Sequence, residues 1–224
     1  ETNATHVARE IESAGGHALS LKVDVARKKD AERMVRETVD QFGRLDILVN
    51  NAGVIVVSSL IDTKEADWDL TMNVNAKSVL LCSQAAARQM ISQGHGGRII
   101  NNASGAGKIA PGKDRPFGVY AASKHAVIAL TRQMGLELSS YQILVNAITA
   151  GVVDTPMWEL IDREITKTSG DEIGSVKAAS VSRIPLGRIQ EPEDVANLVA
   201  FLASSDASYM TAQAYDVSGG ASPI

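Results

Sequence analysis

The sequence has 224 residues, 45% of them hydrophobic and 21% charged, so a large buried core is possible and wholesale disorder is excluded. The formal net charge of −4 counts against a nucleic-acid-binding protein, and no apolar run approaches the ~18 residues that span a bilayer. The single cysteine, Cys82, cannot form an internal disulfide, which suits a reducing cytoplasm. From these three observations we expect a cytoplasmic protein with neither a membrane nor a nucleic-acid partner.

In chain order, the hydrophobic periodicity predicts helices and strands that alternate. Helical patterns cover 4–14, 28–42, 64–92, 118–138 and 191–203. Apolar runs predict strands at 18–23, 46–50, 97–104, 143–149 and 212–220. A polar, helical insertion covers 155–180. The interior strands are continuously apolar, which is typical of a parallel sheet covered by helices on both faces. We therefore predict a doubly wound α/β fold, Rossmann-like, in a single domain over 1–224.

Polar residues follow several of these strands, at the sheet edge where such folds bind ligands. They are Asp24, Asn50, Ser104 and Thr149. The stretch VNNAG ends in alanine and glycine, so a flat ligand could approach its backbone closely. Taken alone, each of these features fits an ordinary turn as well as a binding site.

Tyr120 and Lys124 lie four residues apart in a predicted helix, so their side chains share one face. A free tyrosine has a pKa near ~10, and a neighbouring cation lowers it toward the range of a useful acid or base. A solvated surface pair is the alternative. Asn75 is a third candidate. Asparagine is unfavourable inside a helix because its amide competes with the backbone, so a role in holding a water or a kink would explain its position.

Two other classes of site are disfavoured. Residues 107–114 imitate a phosphate-binding loop, but Asp114 replaces the magnesium-binding hydroxyl and Pro111 removes a donor. A nucleotide hydrolase is therefore the weakest hypothesis. The four histidines lack metal-ligand spacing, so we predict no metal site.

Taken together, these motifs resemble the short-chain dehydrogenase/reductase family in the family's order. They are NNAG at 50–53, Asn75, Ser104, YAASK at 120–124, VNAITAGVVDTPM at 145–157 and PEDVANLVAFLAS at 192–204. TPMWELID and IPLGRIQEPEDVA resemble the branch that acts on polyols and vicinal diols, which includes sorbitol and butanediol dehydrogenases. The resemblance implies hydride transfer between a nicotinamide cofactor and a small alcohol or ketone, with NAD expected and NADP as the alternative.

The resemblance also implies roles for particular residues. Tyr120 would be the general acid/base, Lys124 would lower its pKa and hold the nicotinamide ribose, Ser104 would orient the substrate oxygen, and Asn75 would hold a relay water. Further cofactor contacts would come from Asp24, Val25, Asn50, Ala52, Gly53, Val153 and Thr155. Residues 155–180 would form a lid over the substrate. A homotetramer or homodimer would assemble through the helices at 64–92 and 118–138.

The family's opening strand, glycine-rich phosphate turn, first helix and second strand have no counterpart in the sequence. We therefore expect the natural chain to extend before Glu1. Ala150 and Ala212 stand where the family usually has proline and glycine. These departures motivate a second hypothesis, a non-catalytic binding protein of the same fold.

Overall fold

Four parallel strands form the centre of the molecule in the computed structural model, which describes residues 3–222. In spatial order they are β1 (Ile47–Asn50), β2 (Gly97–Asn102), β3 (Ile143–Ala150) and β4 (Ala214–Val217). Their register places Ile99 opposite Val145 and Ile148 opposite Tyr215. Because all strands run the same way, their carboxyl ends meet at one edge of the sheet.

Helices cover both faces of this sheet. They are α1 (Asn3–Ser13), α2 (Lys28–Phe42), α3 (Glu65–Met72), α4 (Ser78–Gln93), α5 (Gly118–Glu137), α6 (Pro156–Ser169), α7 (Ser175–Val181) and α8 (Pro192–Ala203). Ile99 packs with α2 and α4, whereas its neighbour Ile100 packs with α8, since successive strand residues point to opposite faces. The predicted doubly wound α/β fold is confirmed. No helix among residues 3–222 has the length and apolarity needed to cross a membrane.

The predicted helix over 64–92 is interrupted. Residues Asn73–Lys77, between α3 and α4, form a π-helical turn, in which the amide of Ser78 bonds to the carbonyl of Asn73. Such wide turns inside helices occur often at functional sites. The turn contains Asn75, which is buried there.

The predicted strand over 18–23 is wrong. In the described chain this segment forms no hydrogen-bonded pairing with another strand, and it is not part of the sheet. A side chain of α2 binds it instead, because Arg33 Nη2 donates a 2.6 Å hydrogen bond to the carbonyl of Lys22. Asp24 consequently does not follow a strand. The last strand is also shorter than predicted, since β4 begins at Ala214 and ends at Val217.

The insertion over 155–180 folds as α6 and α7. Buried Asp162 joins them, because its carboxylate accepts hydrogen bonds from the backbone amides of Gly174 (2.5 Å) and Lys177 (2.8 Å) at the start of α7. Pro156 opens α6 at a position where its missing N–H costs nothing.

Candidate active site

The first turn of α5 brings Tyr120 to the carboxyl end of β2. Its hydroxyl lies beside Ser104, which follows the end of that strand by two residues. The Ser104 hydroxyl also accepts a 3.2 Å bond from the amide of Ala106, which fixes its position. The loop approaches α5 closely because Gly107 has no Cβ, and a Cβ there would lie 2.8 Å from the carbonyl oxygen of Lys124.

Lys124 lies one turn further along α5 and is almost fully buried, with 4% of its surface exposed. Its ammonium donates a 2.7 Å hydrogen bond to the carbonyl of Asn102, the last residue of β2. The nitrogen lies 5.6 Å from the centre of the Tyr120 ring. The i, i+4 spacing thus places a cation beside a phenol at the sheet edge.

Burial shifts both groups toward their neutral forms. It lowers the pKa of Lys124 from 10.5 to about 8 and raises the pKa of Tyr120, while the hydrogen bond with Ser104 lowers the Tyr120 pKa. Ser104 therefore favours the phenolate form of Tyr120, whereas burial disfavours it.

Asn75 joins three parts of the site. Its Oδ1 accepts a 2.8 Å bond from the amide of Val54, and its Nδ2 donates to the carbonyl of Val54 and to the hydroxyl of Ser123, each at 2.9 Å. Ser123 in turn donates to the carbonyl of Tyr120 at 2.7 Å. The amide thus ties the segment after β1 to the helix that carries Tyr120, and both of its hydrogens are used within the protein.

Two polar features lie at the sheet edge, one beside Lys124 and one on the loop after β3. A Cβ at Gly53 would lie 3.6 Å from Lys124 Nζ and 3.5 Å from Asn75 Oδ1, so glycine leaves this backbone accessible. Across the sheet edge, Val153 forms an isolated bridge with Gln190. Gln190 Oε1 accepts a bond from the amide of Gly151, while its buried Nε2 finds no partner in the described chain. A buried donor without a partner is suited to bind a polar ligand group.

Thr155 and Ala52 are two further residues that the sequence predicted to bind the cofactor. The Thr155 hydroxyl donates to the carbonyl of Val153 at 3.4 Å, so it lies over the same loop. Ala52 is exposed between Asn50 and Gly53.

Three other predicted cofactor residues are engaged elsewhere. Asn50 Nδ2 donates to the Ser83 hydroxyl at 3.0 Å and to Asn101 Oδ1 at 2.8 Å, inside the sheet–helix interface. Val25 packs on the core between β1 and α2. Asp24 is exposed, and its carboxylate accepts a bond from Ala26 and forms an ion pair with Arg27.

An apolar cluster borders Tyr120. The Phe117 and Tyr120 rings meet edge to face, with centroids 6.1 Å apart. Met157 and Trp158 of α6 pack on the same cluster, together with Ile55 and Ile161. The surroundings of Tyr120 toward the start of α6 are therefore apolar.

Sequence reasoning missed three contributors to the site. They are Ser123, Gln190 and the carbonyl of Asn102. Ser123 lies inside the YAASK stretch, three residues after Tyr120, so its spacing was a usable signal. The sequence offered no such signal for Gln190 or for the carbonyl of Asn102, because their partners are distant in sequence.

The segment that imitates a phosphate-binding loop lies between β2 and α5. Lys113 lies in a loop and the next helix begins only at Gly118, so residues 107–114 do not form a phosphate-binding loop before a helix. Residues 3–222 hold no group of three or more histidine, cysteine or acidic side chains that could bind a metal.

The fold and this site define a class of protein. The profile described as "Enoyl-(Acyl carrier protein) reductase" matches residues 1–222, and the chain belongs to the short-chain dehydrogenase/reductase family. It is 42% identical over 213 residues to a diacetyl reductase, (S)-acetoin forming, from Staphylococcus epidermidis, covering 95% of this chain and 82% of that protein.

Two further proteins are similar to this chain. A sorbitol dehydrogenase from Cereibacter sphaeroides is 37% identical over 206 residues, covering 92% of this chain and 79% of its own length. The crystal structure of a sorbitol-6-phosphate 2-dehydrogenase from Erwinia amylovora superposes with a TM-score of 0.91 at 32% identity, covering 98% of this chain and 86% of that one. The protein is thus an oxidoreductase of a family that uses NAD or NADP.

Proposed function

We propose that the protein transfers a hydride between a nicotinamide cofactor, NAD before NADP, and the secondary alcohol or ketone of a small polyol or diol. The observation that carries this proposal is the position of the Lys124 ammonium, 5.6 Å from the centre of the Tyr120 ring, with Ser104 beside the Tyr120 hydroxyl. The relatives named above, which act on diacetyl and on hexitols, support the substrate class.

The chain's own residues supply position and proton transfer. When bound, the nicotinamide ring supplies the hydride acceptor for alcohol oxidation and the donor for ketone reduction. Ser104 donates to the substrate oxygen and Tyr120 takes up the hydroxyl proton as the alcohol is oxidised. For ketone reduction Tyr120 returns that proton. Lys124, Gly53, Val153 and Thr155 would hold the nicotinamide nucleoside.

In this proposal Asn75 organises the site. Both of its amide hydrogens are used by Val54 and Ser123, so a relay water would reach only its Oδ1 or its backbone. We further propose that 155–180 serves as the substrate lid of a single catalytic domain, since Met157 and Trp158 face the Tyr120 cluster.

The protein is also proposed to assemble as a homotetramer or homodimer through α3–α4 and α5. Large apolar side chains are exposed there, among them Trp68, Leu70, Ile91 and Leu136. Light scattering on the purified protein measures the assembly, and a monomer at micromolar concentration would contradict this part of the proposal.

The central experiment follows NADH formation with 2,3-butanediol and sorbitol, using the parent protein and Tyr120→Phe. Removing the hydroxyl removes the proton acceptor, so we expect kcat to fall by about 10²–10⁴-fold. Tyr215→Phe, on β4, is the matched control and should retain activity. A Tyr120→Phe variant as active as the parent would overturn the proposal and favour a non-catalytic binding protein.

A further inference from the structure

Arg115 connects the substrate side of the site to α6 and α7. It lies in the loop between β2 and α5, two residues before Phe117, whose ring contacts Tyr120. Its guanidinium carbon lies 5.9 Å from the centre of the Trp158 ring of α6. Its Nη2 donates a 3.0 Å hydrogen bond to the Ser180 hydroxyl of α7. The guanidinium is therefore at the rim of the apolar cluster that borders Tyr120.

No carboxylate neutralises this charge. Within residues 3–222 neither Arg115 nor Arg183 forms an ion pair, and the neighbouring Asp114 does not reach Arg115. Elsewhere in the described chain, arginines meet acids, as Arg33 meets Glu37 at 3.1 Å and Arg188 meets Asp194 at 2.7 Å. Burial and the nearby charge of Arg183 both lower the pKa of Arg115. The two arginines flank Ser180, since Arg115 donates to its hydroxyl at 3.0 Å and the backbone amide of Arg183 donates to its carbonyl at 3.3 Å. An anion bound there would meet two positive charges.

A purely structural role would explain only one of the two residues. Stacking on Trp158 and bonding to Ser180 would account for Arg115 as a brace between the loop and α6–α7. Arg183 makes no such contact, since its side chain is exposed and forms no hydrogen bond with the described residues. Lys177, the other cation nearby, is already paired with Asp154 at 2.6 Å.

We propose that Arg115 and Arg183 form an anion subsite at the substrate entrance, which binds a carboxylate or phosphate group of the substrate remote from the reacting carbon. This deepens the proposed function and rests on it. The guanidinium fork matches both oxyanions. Only one hydrogen bond of the Arg115 side chain, to Ser180, is used within the described chain, which leaves donors for such a group.

The test compares matched neutral and anionic substrates. Sorbitol is paired with sorbitol 6-phosphate and with gluconate, and kcat/KM is measured for the parent, Arg183→Gln, Arg115→Lys and Lys167→Gln. We expect the anionic member to be favoured by about tenfold or more, mainly through KM, and Arg183→Gln to remove most of this preference. Lys167→Gln makes the same charge change on an exposed residue of α6, and this variant should keep the preference for the anionic substrate. Arg115→Lys keeps the charge but loses the fork, so it should lower the preference.

A second measurement is independent of turnover. Inorganic phosphate should compete with 2,3-butanediol and raise the melting temperature of the parent protein, and both effects should be lost in Arg183→Gln. Equal kcat/KM for neutral and anionic partners, or phosphate effects that survive in Arg183→Gln, would overturn the subsite while leaving the dehydrogenase intact. Phosphate stabilisation that depends on Arg183 in a protein that oxidises no alcohol would retain an anion site and reject the proposed function.

Discussion

The Lys124 ammonium is bonded to the carbonyl of Asn102 at 2.7 Å, so the end of β2 and the first turns of α5 are joined by a buried charge. This contact anchors the lysine beneath Tyr120. It also means that a cation is held in the interior with one backbone partner and no carboxylate, which is costly. Several measurable consequences follow from this arrangement and from its neighbours.

Lys124→Met should change how stability depends on pH. Because the folded pKa of Lys124 is lowered to about 8 from 10.5, the unfolded chain binds the extra proton between these values. Parent stability relative to the variant should therefore rise by about 3 kcal/mol from pH 8 to 10.5. Urea unfolding at several pH values measures it. A difference between parent and variant that stays flat across that interval would show that the lysine is not desolvated.

Ser104→Ala should shift the pH profile of alcohol oxidation. The hydrogen bond with Ser104 lowers the pKa of Tyr120, so its loss raises that pKa, and the deprotonated base is reached only at higher pH. We expect the rising limb of kcat/KM to move upward and kcat to fall by about 10²–10³-fold. Ser104→Thr keeps the hydroxyl and should hold the limb in place. An unmoved limb in the alanine variant would contradict this role.

Asn75→Ala should destabilise the protein as well as inactivate it. The change leaves both backbone groups of Val54 without their partner, and the Ser123 hydroxyl loses a donor but keeps its bond to the carbonyl of Tyr120. We expect a loss of about 2–3 kcal/mol in the free energy of unfolding. Asn197→Ala, on the exposed side of α8, is the control and should change it little. Equal effects of the two changes, measured by urea unfolding, would show that the Asn75 bonds contribute nothing.

Ala212→Gly should stabilise the protein. Ala212 adopts a positive φ of 60°, which costs a residue with a Cβ, and it packs against Gly135, where a Cβ would lie 2.7 Å from the Ala212 backbone. We expect a gain of about 0.5–1 kcal/mol. Ala129→Gly, at an exposed position of α5, should lose a similar amount. A lower melting temperature for Ala212→Gly would mean that the strain is relieved in another way.

The sequence predicted the fold class and the sheet edge because both depend on local patterns. Continuous apolar runs marked β2 and β3, and the spacing of Tyr120 and Lys124 placed them on one face of α5. The strand over 18–23 failed for the opposite reason. Its apolar residues suit a strand, but a strand needs a partner, and pairing between distant segments cannot be judged from local composition.

The site was predictable in its residue types but not in its connections. An asparagine inside a helix drew attention to Asn75, yet its bonds to Val54 and Ser123 depend on the packing of three segments. The expected effect of Lys124 on the Tyr120 pKa was also inferred from spacing alone. The structure adds burial, which acts against both charges, and Ser104, which lowers the Tyr120 pKa.

The π-helical turn at Asn73–Lys77 has a consequence for the whole of α4. A π-helical turn holds one residue more than the α-helical turn it replaces, so each later residue lies about 100° behind its position in an uninterrupted helix. The face of α4 that buries Ala86 and Met90 therefore depends on the same turn that contains Asn75. Deleting one residue from this turn would let α3 and α4 continue as one regular helix with α4 keeping its buried face, but it would remove the wide turn from which Asn75 reaches Val54.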